Sequence, residues 1–114
     1  MKFQVDEQFL LNCFRDFVAV PSPVAYSEQL IPVLERYAAQ FGHTVTYDRR
    51  GTGYITLDGE DNSKTVLVGA HADTIGLIVR KVDADGMIRV RQLGGMNYAS
   101  AESESVTGHT RDGR

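Results

Sequence analysis

His71 and Asp73 stand two residues apart at the end of the apolar run Val66-Leu67-Val68-Gly69-Ala70. This imidazole–carboxylate pair is the strongest chemical signal in the chain. A neutral imidazole binds a divalent metal through one ring nitrogen, and a nearby carboxylate can fix the other nitrogen or hold the partner of a metal-bound water. Ala70 and Ala72 are small and leave room around the ring. Plainer roles suit the same residues. A histidine at a strand end often serves only as a hydrogen-bonding group, and Asp73 could be an N-cap or turn residue ahead of Thr74.

The elements expected to position this pair follow from the pattern around it. Val and Leu running into Gly-Ala predict a strand covered on both faces, as at the centre of a parallel sheet. The end of such a strand is where α/β enzymes place their chemistry. Upstream, Asp6 is suited to cap a first helix, with Glu7 in its first turn and an apolar stripe of Phe9, Leu10, Cys13, Phe14, Phe17 and Val18. Pro21-Ser22-Pro23 stops that helix and makes a stiff turn. Ser27 is expected to cap a second helix, roughly Glu28 to Phe41, burying Leu30, Ile31, Val33, Leu34, Tyr37, Ala38 and Phe41. Pro32 would shift or bend its start, and Gly42 suits its left-handed end. Two short strands are expected around Val45–Tyr47 and Tyr54–Leu57. Beyond the His-x-Asp, Ile75 to Val82 and Met87 to Leu93 flank Asp83-Ala84-Asp85-Gly86, a hairpin signal. Residues 110–114 read as a further hairpin turn.

Composition narrows the function class. The chain has 114 residues, 42% of them hydrophobic and 24% charged, which is ordinary for a globular protein. A net charge of −3 gives no electrostatic case for nucleic acid or an anionic membrane. The single Cys13 allows no internal disulfide and is expected to be a buried, inert thiol in a reducing compartment. Residues 1–6 lack the apolar run of a signal peptide, and no stretch is long enough to span a bilayer, so a cytoplasmic location is expected.

From Gly69-Ala70-His71-Ala72-Asp73-Thr74-Ile75-Gly76-Leu77-Ile78-Val79 through Asp83-Ala84-Asp85-Gly86 to Gln92-Leu93-Gly94-Gly95, the chain resembles the metal-dependent aminopeptidases related to glutamyl aminopeptidase, the TET-type peptidases. The Pro-Ser-Pro turn and Tyr26-Ser27-Glu28 are also similar, so the resemblance covers nearly all of the chain. It implies an α/β fold: residues 1–74 as the N-terminal part of a mixed-sheet, zinc-exopeptidase-like catalytic domain, and residues 75–114 as the first strands of an inserted β-barrel-like dimerisation domain. It further implies that His71 is the first protein ligand of a centre of two divalent metal ions (zinc, cobalt or manganese), with Asp73 the catalytic-site carboxylate that orients it. Thr74 departs from the acidic residue more common in the family after that aspartate. The implied reaction is release of N-terminal amino acids from a peptide substrate by metal-activated water, in an enzyme that forms large homo-oligomers.

A two-metal centre needs more donors than one His and one Asp. There is no Glu-Glu pair to supply a base and a ligand. His43 begins an early strand, His109 lies in a polar tail, and Glu102 and Glu104 read as a solvated face. Asp83 and Asp85 suit a turn better than a calcium loop. The expectation is therefore an N-terminal fragment of the enzyme, inactive alone and holding no metal firmly. Two alternatives carry the same motif: a related dinuclear exopeptidase or deacylase, and a noncatalytic binding or assembly module.

Overall fold

Asp6 opens the first helix, and its carboxylate accepts the backbone N–H of Phe9 at 2.9 Å. The computed structural model describes residues 4–112 and divides the chain into two units, Met1–Thr74 and Ile75–Arg114. In the first unit, α1 (Glu7–Val18) packs on α2 (Leu30–Gln40). Phe9 sets its ring edge-on to both Tyr37 and Phe41, with centroids 5.7 and 5.4 Å away, and Phe17 also meets Tyr37. The apolar stripe of α1 is split. Phe9, Cys13 and Phe17 are half-buried, while Leu10, Phe14 and Val18 remain exposed. Burial and the nearby Asp16 push the Cys13 thiol up from its ordinary pKa, which keeps it protonated.

The second helix starts later than Ser27 predicts. Residues 28–29 form a turn, Gln29 stands at the N-cap with no side-chain capping bond, and the Ser27 carbonyl accepts from Leu30 and Ile31. The reason is Pro32. With Leu30 as the first helical residue, Pro32 is the third, where no intrahelical N–H is required. At the other end Gly42 takes φ +74°, and His43 N–H returns to the Ala38 carbonyl, closing the helix as expected. Ala38 is buried on α2, whereas Phe41 is exposed despite its ring contact.

Two very short strands follow, β1 (Thr46–Tyr47) and β2 (Gly53–Tyr54), paired antiparallel. Their loop is organised by Asp48, whose carboxylate accepts from the N–H groups of Arg50 and Thr52 and from the Tyr54 hydroxyl. Those amides, Thr52 first, hold the Asp48 carboxyl below its ordinary range. Ile55 to Leu57 lie outside β2, so this strand is shorter than its β-branched sequence suggests.

The expected central strand at Val66–Ala70 is not formed. Val66, Leu67 and Val68 are 85%, 83% and 89% exposed, and no strand pairs with them among the described residues. A central strand is made by its neighbours, since isolated extended backbone has no ladder to join. Near this segment a parallel bridge joins Pro23 and Thr74.

In the second unit β3 (Gly76–Val82) pairs with β4 (Ile88–Leu93) in the hairpin that Asp83–Gly86 predicts, with a register shift between Val79 and Lys81. Gly86 takes φ +86° and donates to the Asp83 carbonyl, while Asp83 N–H donates to Met87 O. The Asp83 carboxylate holds Lys81 and Arg89 from the two strands. Gly94 (φ +77°) ends β4, and Asn97 caps a short 3-10 helix, Tyr98–Ser100. The turn expected over 110–114 runs into residues 113–114, outside the described residues.

Candidate functional site

His71 and Asp73 lie in a stretch without regular secondary structure, not at the end of a formed strand. Their side chains nevertheless meet: His71 Nδ1 and Asp73 Oδ1 are 3.0 Å apart. An ionised carboxylate only accepts, so with Asp73 ionised this contact is a hydrogen bond in the form that carries the proton on Nδ1. The neutral ring then has its lone pair on Nε2, the nitrogen available to a metal. The pair is open to solvent, with side-chain exposures of 88% for His71 and 43% for Asp73.

The backbone beneath it is tied to a distant turn. Ser22, the one fully buried side chain among the described residues, is 1% exposed. Its hydroxyl donates to the Ala72 carbonyl at 3.0 Å, and its carbonyl accepts Thr74 N–H at 3.0 Å. A longer bond at 3.4 Å runs from Ser22 N–H to Thr74 Oγ1. The sequence marks Pro21-Ser22-Pro23 as a helix stop and a stiff turn, and does not predict this contact. The available signal was a small hydroxyl residue held between two prolines.

The donor chemistry fits one metal-ligand position and its orienting carboxylate. Among the described residues no group of three or more His, Cys, Asp or Glu side chains is placed to hold a metal ion. His43 is exposed after the end of α2, and His109, Glu102 and Glu104 lie in the exposed tail. Asp83 and Asp85 serve the hairpin turn, Asp85 by accepting Met87 N–H. No helix of the described residues is long and apolar enough to cross a membrane.

The profile of the M42 glutamyl aminopeptidase family matches residues 51–114, more than half of the chain. YhfE of Bacillus subtilis (strain 168), a protein named as an aminopeptidase, is 28% identical over 104 residues, covering 91% of this chain and 30% of that protein. Glutamyl aminopeptidase of Lactococcus lactis subsp. cremoris (strain MG1363) is 30% identical over 82 residues, covering 71% of this chain and 23% of that protein. The chain thus spans less than a third of the length of these curated relatives. Its His-x-Asp segment, its hairpin and the Gly94-Gly95 step all fall inside the matched region, and the chain belongs to the M42 glutamyl aminopeptidase family.

Proposed function

We propose that this chain supplies the first metal ligand, His71, and its orienting carboxylate, Asp73, to a two-metal aminopeptidase that releases N-terminal residues from peptides. The observation that carries the reading is the 3.0 Å contact between His71 Nδ1 and Asp73 Oδ1. It selects the tautomer that ligation needs and aims Nε2 outward. The bound metals would supply an activated water and polarise the peptide carbonyl. This chain's own part is to hold one imidazole in register, with the remaining ligands and the general base coming from elsewhere in a longer protein. Alone, the chain is inactive.

Residues 1–74 are then part of a mixed-sheet catalytic domain, and residues 75–114 the opening of an inserted β-barrel-like domain. The passage from helices and short strands to a hairpin, and the bare apolar segment Val66–Val68, support that organisation. Such a segment becomes a central strand once neighbours flank it. Zinc, cobalt or manganese suits a site of mixed nitrogen and oxygen donors. The enzyme is read as a cytoplasmic homo-oligomer.

The test is a graft. The matching segment of the Lactococcus lactis glutamyl aminopeptidase is replaced by that of this chain, and turnover of aminoacyl nitroanilides is measured with zinc or cobalt. Metal-dependent turnover that His71→Ala abolishes is expected. A folded chimera that binds metal but cleaves nothing, or one indifferent to His71→Ala, overturns the reading. The isolated 12.6 kDa chain, its intact mass verified, should show no turnover.

A further inference from the structure

We infer that Ser22 is a positioning residue for the His71–Asp73 pair, acting through the backbone on either side of Asp73. This rests on the reading of His71 as ligand and Asp73 as its orienting partner. The argument is geometric. A peptide unit is planar, so the direction of the Asp73 side chain is set by the two peptide planes that meet at its Cα. One plane contains the Ala72 carbonyl, and the other contains the Thr74 N–H. Ser22 binds both: its hydroxyl donates to Ala72 O at 3.0 Å, and its carbonyl accepts from Thr74 N at 3.0 Å. A single residue some fifty positions away therefore pins both dihedral angles of Asp73.

The clamp is itself stiff. Pro21 and Pro23 have restricted φ, and a residue before proline is driven to extended backbone, so Ser22 is held in the conformation that pairs with Thr74. The parallel bridge between Pro23 and Thr74 continues the same contact. Burial matters too. The Ser22 side chain is 1% exposed, so little water can reach its hydroxyl. Above this anchored backbone the imidazole is almost wholly in solvent. Among the described residues, no side chain other than Asp73 is hydrogen-bonded to the ring. What fixes the ring is the carboxylate, and what fixes the carboxylate is residue 22. Thr74 Oγ1 adds the weaker third bond at 3.4 Å, which gives a role to the residue that departs from the family's commoner acidic one.

The experiment reads the tautomer of His71 by 15N NMR of the whole chain, at a pH where the ring is neutral. Asn substitution of each histidine in turn assigns the signals. Wild type is expected as the Nδ1–H form. Ser22→Ala is expected to move His71 towards the Nε2–H form that unconstrained imidazole prefers. Thr74→Val should do so more weakly, and Thr74→Ser should leave it unchanged. A purely packing role for Ser22 would not move these nitrogen shifts. If Ser22→Ala and Thr74→Val both keep the fold and the Nδ1–H form, the positioning role is overturned while the ligand reading stands. If wild type is already Nε2–H, the ligand reading fails, and the positioning role with it.

Should Ser22→Ala not fold, hydrogen exchange in the wild type decides the clamp. Thr74 N–H, donated to Ser22, is expected to exchange at least tenfold more slowly than the amides of residues 66–70. Equal rates overturn it.

Discussion

Replacing Asp73 by Asn keeps the size of the side chain and removes its charge, which isolates what the carboxylate does for His71. The contact is a direct one at 3.0 Å, and loss of such an orienting partner costs about 10- to 100-fold in metal affinity. Exposure decides where in that range the effect falls. His71 is 88% exposed and Asp73 43%, so water competes for both ends of the bond and the lower figure applies. The expected loss is about tenfold, or about 1.4 kcal/mol. The assay is a zinc titration of the whole chain followed through the His71 ring signals, which measures the ratio of affinities even when both are weak. His43→Asn should not alter the response. Equal zinc affinity in wild type and Asp73→Asn, with the fold intact, would refute the orienting role.

Gly53→Ala should destabilise the first unit by about 0.5–2 kcal/mol in urea unfolding. The added Cβ would lie 3.1 Å from Leu34 Cδ2 and Val45 Cγ1, and 3.2 Å from Tyr47 Cε1. Overpacking of about 1–3 kcal/mol outweighs the roughly 0.4–1 kcal/mol gained in the unfolded chain, so a stabilised variant would contradict this packing. Acid should weaken the same unit in a defined window. The Tyr37 hydroxyl, and then the Arg36 guanidinium, hold Asp16 below its ordinary carboxyl range, and the Thr52 and Arg50 amides do the same for Asp48. Both pKa values are depressed in the folded chain, so their stabilisation is present above about pH 4 and is lost as pH falls through the lower folded values. Asp16→Asn with Asp48→Asn should flatten that part of the pH profile. In the second unit, Asp83→Ala releases Lys81 and Arg89, both well exposed, and should cost the hairpin about 1 kcal/mol. Loss of amide protection confined to β3 and β4 is the readout.

What the sequence determined about this protein by itself is local. Asp6 caps α1 because its carboxylate reaches an amide three residues on. Gly42 ends α2, and Asp83–Gly86 makes the hairpin turn, because each conformation is chosen within a few residues. The pairing of His71 with Asp73 belongs here too, since two residues' separation already brings their side chains within reach. Where several local rules competed, the outcome was less legible. Ser27 looked like the cap, but Pro32 fits only in the first turn and moved the start to Leu30.

Tertiary structure alone decided the rest. Val66–Ala70 carries the composition of a central strand, yet strand pairing is a property of neighbours, and these residues have none among the described ones. The place of Ser22 between two prolines marks a held hydroxyl but not what it binds, because its partners Ala72 and Thr74 lie fifty and more residues away. Side-chain chemistry could therefore be read from spacing. The anchoring of the backbone that aims it depends on two distant segments meeting, and only the folded chain brings them together.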